Sequence, residues 1–276
     1  MVDTLDRAKL YEAWMQKEHA SLFGFWGQFR TGRLIKLCSQ FNEFQLFRTL
    51  VGDPSCRTLS DIGCAAGGFY RFFRKVWPSL DYKGFDISEV AIEEARRRYL
   101  AGDFRVFTGS LKSIPDVESD VVFCRDVVHH QTDPCGFLSD IYDITTKYLI
   151  LRVRTREEGS TIFDTDQSCQ YTYGRWVPYI VFNTSELIDL IRHFEPAPAR
   201  ITLMRHPVVL GGETSRFLPK DLYYPETGTA ETALLIEKGT REGSEDTVIT
   251  VDTYPEKLIQ QRWVRRLKSL AHRWGL

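Results

Sequence analysis

The segment Asp61-Ile62-Gly63-Cys64-Ala65-Ala66-Gly67-Gly68-Phe69 holds the densest chemistry of the chain. A carboxylate stands two residues before a run of small residues, in the pattern D-x-G-x-A-x-G. Small residues let the backbone approach a ligand closely. A second carboxylate, Asp86, follows Gly63 by 23 residues. At a strand end such an acid accepts hydrogen bonds from both hydroxyls of an adenosine ribose. Two cofactor classes fit a glycine turn with a distal acid: a nicotinamide dinucleotide and S-adenosylmethionine (SAM). The turn alone, G-x-A-x-x-G, is a degenerate dinucleotide fingerprint. Asp61 argues for SAM, because a carboxylate repels a pyrophosphate and attracts a sulfonium that also carries an ammonium group.

His129 and His130 form a second group with chemistry. A histidine titrates near neutrality and can take a hydroxyl proton. Asp126 is the next candidate base. Each also has an ordinary structural reading, as packing, a loop hydrogen bond or a helix cap. No tight set of His and carboxylate ligands suggests a metal. Gln170, Tyr171, Tyr173, Arg175, Trp176, Tyr179 and Asn183 form an aromatic, hydrogen-bonding stretch. Tyr171, Tyr173, Arg175, Trp176 and Tyr179 are the candidate acceptor-binding residues, since aromatic faces stack on sugar rings or planar acceptors. Arg205, His206, Glu213 and Arg216 could meet an anionic acceptor.

These groups need a scaffold, and residues 57–154 supply its pattern. RTLSDIG, DYKGFDI, FRVFTG, SDVVFCR and KYLILRVR read as strands. GFYRFFRKVW, SEVAIEEARRRYL and PCGFLSDIYDIT read as helices between them, with Ser88 as an N-cap. Such alternation means right-handed βαβ units and a parallel sheet. SELIDLIRHFE is a further helix. ITLMRHPVV and TALLIEK follow as strands without a helix between them, so they pair antiparallel. The expected fold is α/β, a Rossmann-like, mostly parallel sheet with an antiparallel last strand and helices on both faces.

The runs DIGCAAGGF, GFDIS and DVVFCRDVVHHQTDP, with the reversed hairpin, resemble the class I SAM-dependent methyltransferase family. The resemblance covers residues 57–154. It implies that Asp61, Gly63, Cys64, Ala65 and Gly67 surround the methionyl part of SAM. It implies that Asp86 holds the ribose hydroxyls and that Ile87 packs near the adenine. Ser110 and Leu111 would face the adenine edge, with a hydroxyl where many relatives carry an acid. Arg125 would contact the methionyl end, largely through its backbone. The implied activity is methyl transfer, first to the oxygen of a sugar, polysaccharide or small hydroxylated molecule. Nitrogen, carbon or lipid-like acceptors are the alternative, and a nicotinamide oxidoreductase or a non-catalytic binding module the alternatives of another class.

The chain has 276 residues, 43% of them hydrophobic and 26% charged, which excludes disordered, collagen-like and coiled-coil proteins. Its net charge of −1 gives no global attraction to nucleic acid, and no nucleic-acid partner is expected. The balance is uneven: residues 255–276 carry +5 and the rest −6. In that tail Ile259, Trp263, Leu267, Leu270 and Trp274 share one helical face, flanked by Arg262, Arg265, Arg266 and Lys268. A basic amphipathic helix of this kind can lie on an anionic membrane or dock on protein. The expected organisation is a helical lid over 1–50, whose many aromatics have packing on the core as the ordinary alternative, and a SAM-binding domain over 51–240. That domain carries insertions near 155–184 and 209–231, and a linker with the basic helix follows over 241–276. The absence of a leader-like start and of paired-cysteine motifs points to a cytoplasmic protein with reduced thiols, peripheral to a membrane if the tail binds one.

Overall fold

The computed structural model describes residues 11–16, 24–208, 210, 217–219, 228–239 and 248–252. Helices α1 (Thr31–Cys38) and α2 (Asn42–Thr49) come first. The alternating part follows: β1 (Thr58–Ile62), α3 (Tyr70–Val76), β2 (Asp81–Asp86), α4 (Glu89–Arg98), β3 (Asp103–Val106), β4 (Ser119–Arg125), α5 (Pro134–Asp143) and β5 (Thr145–Arg156). Then come β6 (Cys169–Thr172), β7 (Arg175–Pro178), β8 (Phe182–Asn183), α6 (Thr184–Arg192), β9 (Pro198–Pro207), β10 (Phe217–Leu218), β11 (Ala230–Lys238) and β12 (Val248–Asp252).

The main sheet runs β12-β9-β11-β5-β4-β1-β2-β3, and β8 adds to β5. β11 is antiparallel to both neighbours, and the other pairs are parallel. The strand order reverses between β1 and β4. In an open α/β sheet the crevice at that reversal, outside the carboxyl ends of the strands, is where ligands bind. The DIG turn and the RDVVHH segment leave the sheet at this point.

The local chemistry of the elements is direct. Ser88 Oγ caps α4 by accepting from the Ala91 N–H at 3.3 Å. Asp133 caps α5 through the Gly136 N–H at 2.9 Å, with Pro134 in the first turn. Asn183 caps α6, accepting from the N–H groups of Ser185 and Glu186. Two apolar clusters fill the two faces of the sheet, one around Phe44, Phe72, Phe73 and Phe123, the other around Ile62, Val122, Leu138 and Leu151.

Three expectations change. Residues 31–49 are a layer of the core and not a lid. Phe44 and Phe47 are fully buried and stack on Phe72, Phe73 and Phe123, because a helix this aromatic gains most by covering the sheet. The connection near 155–184 contains a hairpin, β6 on β7, which with β10 forms a separate three-stranded sheet. Its two-residue turn is Tyr173-Gly174, both with positive φ (48° and 74°), the geometry that matches strand twist. The stretch read as a linker holds β12, parallel to β9, so the reversed strand is internal to the sheet. The basic tail, Glu213 and Arg216 lie outside the described residues. Among the described residues no helix is long and apolar enough to cross a membrane. All six cysteines are free thiols.

Candidate active site

The turn after β1 folds onto the end of β2. The N–H groups of Gly63 and Cys64 both donate to the Phe85 carbonyl, at 2.7 and 3.0 Å. Asp86 binds the turn from the other side: one oxygen accepts from the Ala65 N–H and the other from the Ser88 N–H, each at 2.8 Å. Gly63 (φ 80°), Ala65 (φ 47°) and Gly67 (φ 69°) all stand in the left-handed region. At Gly63 a Cβ would lie 2.2 Å from Val127 Cγ2, so the glycine is required by the loop after β4. This adds a packing reason to the ligand-approach reason that the sequence suggests.

Asp61 is buried and accepts from the Tyr82 hydroxyl at 2.8 Å. Burial pushes its carboxyl up to about 7, with Asp86 adding to the rise and the Tyr82 bond opposing it. Burial likewise lifts Asp86 to about 6 against the pull of its backbone N–H partners. Neither forms a salt bridge among the described residues. Two buried carboxylates that form no ion pair among the described residues, beside a left-handed turn, suit a cationic ligand with hydroxyl donors. The residues present therefore fit SAM. Ile87 is half-buried beside them. The Ser110 hydroxyl is exposed and caps its own turn, whereas the Leu111 side chain is in the core, leaving only its backbone for an adenine edge. Cys64 is buried in the turn, its thiol pushed well up by burial.

At the ends of β4 and β5 the chain assembles a charge cluster that the sequence reading missed. Arg125 donates through Nε to Glu43 of α2 at 2.6 Å. Arg152 binds Asp126 at 2.8 Å and Glu231 of β11, and Arg154 binds Asp126 at 2.7 Å. Burial alone would raise Asp126, but Arg152, Arg154 and Arg125 outweigh it and hold its carboxyl well below the usual range. Asp126 is thus a committed ion-pair partner and a poor proton acceptor, which corrects its place among the candidate bases. The sequence did carry one signal: Arg152, Arg154 and Arg156 alternate along an otherwise apolar strand.

The histidines occupy a short 3₁₀ turn, Val128–His130, after β4. His129 is fully buried, and neither ring nitrogen has a hydrogen-bond partner. Burial, with His130 beside it, holds its pKa well below the usual value. His130 Nδ1 lies 2.8 Å from the Pro178 carbonyl. A carbonyl only accepts, so Nδ1 carries the proton and Nε2 carries the lone pair. Burial first, then Arg154, bring His130 down to about 4 against that bond. Trp14 lies over His130 with ring centroids 4.5 Å apart, and Tyr179 lies 5.7 Å away.

The proposed acceptor residues divide. Tyr179 is buried, packs on both histidines and accepts from Arg154 Nε at 3.2 Å. Tyr173 reaches the site through Trp14, with centroids 6.0 Å apart. Arg175 pairs with Glu12 at 2.9 Å. Tyr171, 44% exposed, and Trp176 pack on each other across the hairpin and make no ring contact with the histidines. Gln170 is buried in the hairpin and Asn183 serves the α6 cap. Arg205 pairs with Glu157, and His206 stands opposite Glu231 in the β9–β11 register. Residues 11–16 bridge the hairpin and the loop after the histidines, since the Tyr11 hydroxyl is 3.0 Å from Thr132 Oγ1. Among the described residues no group of three metal-ligating side chains occurs.

Residues 60–148 match the family described as methyltransferase domain. No curated protein matches the chain. Among solved structures, magnesium protoporphyrin IX methyltransferase from Synechocystis PCC 6803 with bound S-adenosylhomocysteine (SAH) is similar at 15% identity. That match covers 85% of this chain and 100% of that one, with a TM-score of 0.53. Phosphoethanolamine N-methyltransferase 2 of Haemonchus contortus with SAM is similar at 14% identity, over 85% of this chain and 60% of that one, with a TM-score of 0.54. A plantazolicin methyltransferase, in complex with a triazolic desmethyl analogue and SAH, reaches a TM-score of 0.50 at 11% identity. Its match covers 84% of this chain and 95% of that one. At these identities the likeness is one of fold. Residues 60–148 are a methyltransferase domain, and with the fold they indicate a SAM-dependent methyltransferase with SAM as its cofactor.

Proposed function

We propose that this methyltransferase acts on the oxygen of a small hydroxylated acceptor, a sugar or a flat aromatic molecule, with His130 as general base. The observation that carries the reading is the Nδ1–Pro178 carbonyl contact, which leaves the Nε2 lone pair of His130 free for an acceptor proton. Bound SAM supplies a methyl group on a sulfonium for in-line displacement. Asp86 holds the ribose hydroxyls, Asp61 and the turn hold the methionyl end, and Ile87 lines the adenine. Arg125 stands at the methionyl end, and the backbone of Ser110 and Leu111 edges the base.

A base near pKa 4 takes no proton from a resting alcohol. As the new carbon–oxygen bond forms, the acceptor oxygen gains positive charge and its proton becomes strongly acidic. His130 Nε2 then accepts it with ease. Burial keeps the imidazole neutral, so the base stands ready across the physiological range. Trp14, Tyr173 and Tyr179 give the acceptor aromatic faces. Residues 11–16 act as a cover here, a smaller lid than 1–50.

Labelled-methyl transfer from SAM to a panel of sugars, phenols and amines tests this. Label in an ether linkage, stable to mild base, on a hydroxylated acceptor is the expected result. Label found only on amines refutes the oxygen assignment and removes the need for His130.

A further inference from the structure

The Tyr179 hydroxyl is held on one side only. Arg154 Nε donates to its oxygen at 3.2 Å, and no acceptor for its own proton occurs among the described residues. A phenolic O–H stays near the plane of its ring, so a donor on one side of the oxygen turns the hydrogen to the other. Burial lifts the phenol above its ordinary range, against the pull of Arg154, so the proton stays in place. The ring that carries it packs on His130, with centroids 5.7 Å apart. An uncommitted hydrogen-bond donor thus stands next to the ring of the proposed base.

Arg154 sits on β5, opposite Glu231 of β11 in the sheet register. Nη1 donates to Asp126 at 2.7 Å and Nη2 lies 3.4 Å from Glu231, so with Nε on Tyr179 every nitrogen of the fork has a partner. A planar fork held at three points has little freedom left. Asp126 opens the loop that carries His130 and has φ 59°, a backbone uncommon outside glycine. One guanidinium therefore ties the start of the His130 loop to the phenol beside that histidine. Charge balance does not require the bond to Tyr179, because Arg125, Arg152 and Arg154 are matched by Glu43, Asp126 and Glu231. A neutral phenol adds nothing to that balance, and what it gains is a fixed orientation.

Resting on the reading of His130 as the base for an oxygen acceptor, we infer that Arg154 is a positioning residue that turns the Tyr179 O–H toward the acceptor, and so selects molecules with a second oxygen next to the one that is methylated. His130 Nε2 faces the reacting hydroxyl, and Tyr179 donates to its neighbour. Vicinal diols and hydroxy-ketones, in a sugar or on a flat ring, meet both groups at once. An acceptor with a single hydroxyl leaves the buried donor of Tyr179 unpaired, which costs binding and alignment.

The test is labelled-methyl transfer from SAM by the whole protein to two matched pairs, catechol against phenol and cis-1,2-cyclohexanediol against cyclohexanol. At least one diol should exceed its single-hydroxyl partner by about tenfold or more in kcat/KM. In Tyr179→Phe and in Arg154→Gln that ratio should fall to within about twofold. The ratio is the informative quantity, because a partly unfolded variant loses both rates equally. Arg154→Lys, which keeps the charge without the fork, decides the role of the arginine if the glutamine variant does not fold, and it should lose the ratio as well. Equal rates within both pairs in the wild type, methylation of a single-hydroxyl member while its diol is refused, or a ratio that survives the substitutions would each overturn the inference. If label reaches no oxygen, here or in the wider panel, the oxygen-acceptor reading itself fails and takes this inference with it, a result distinct from the others.

Discussion

Replacing His130 with alanine is expected to lower kcat by about 10²- to 10⁴-fold and to leave the affinity for SAM unchanged. The loss follows from the removal of Nε2, the acceptor left free when Nδ1 binds the Pro178 carbonyl. The same geometry sets the pH profile. Burial holds the imidazole near 4, so kcat should be flat from pH 8 down to about pH 5, where an unperturbed histidine would already have lost half its activity near 6.5. Steady-state kinetics of both proteins across pH check this. Unchanged kcat in His130→Ala would remove the base, and a kcat falling through pH 6.5 would contradict the buried, neutral ring. His129 is not an equivalent. Fully enclosed and without partners, it has no open approach for an acceptor.

The second large effect belongs to Asp61. Its carboxyl is raised to about 7 by burial, so near pH 6 the free protein holds it mostly protonated. A cationic ligand needs the carboxylate. SAM affinity should therefore fall as pH drops below 7, by up to about tenfold per pH unit. Asp61→Asn should remove that dependence above about pH 6, leaving the contribution of Asp86 below it, and weaken SAM by about tenfold to a hundredfold at pH 8. Stability should move the other way. A group whose folded pKa lies above its unfolded value stabilises fully below the unfolded pKa, and that contribution is lost as pH rises through the folded one. Asp61 thus lowers the stability of the unliganded fold progressively from about pH 4 to 7, and the whole cost remains above 7. Asp61→Asn should raise Tm at pH 8, where the wild type buries a carboxylate whose one side-chain hydrogen bond among the described residues comes from Tyr82. Calorimetric binding from pH 5 to 8, with thermal unfolding at pH 8, separates these effects. A variant that loses both stability and binding would show Asp61 to be structural.

What was legible in the sequence was what is local in the chain. The alternation of strands and helices over 57–154, the D-x-G-x-A-x-G turn, Asp86 and the Ser88 cap depend on neighbours within a few residues, and spacing reports them. The hairpin of β6 and β7 was missed because Tyr173-Gly174 lacks the usual Asn-Gly signature. β12 was missed because Val248–Asp252 is short and follows a polar, charged stretch. For the aromatics of 41–47 the sequence left both a cover and a core layer open, because composition does not say which face a helix buries, and the contacts with Phe72, Phe73 and Phe123 decide it. The charge cluster was the least legible. Its members come from α2, β4, β5 and β11, and only the sheet order brings Glu43, Asp126, Arg152 and Glu231 together.

The central claim is that the turn after β1 and Asp86 hold SAM. Calorimetric titration of the wild type and of Asp86→Ala with SAM, SAH, NAD and NADP tests it most directly. Saturable binding of SAM and SAH alone, weakened about tenfold or more by the substitution, is the predicted result. Binding of a nicotinamide cofactor in place of SAM, or SAM binding indifferent to Asp86, would contradict it.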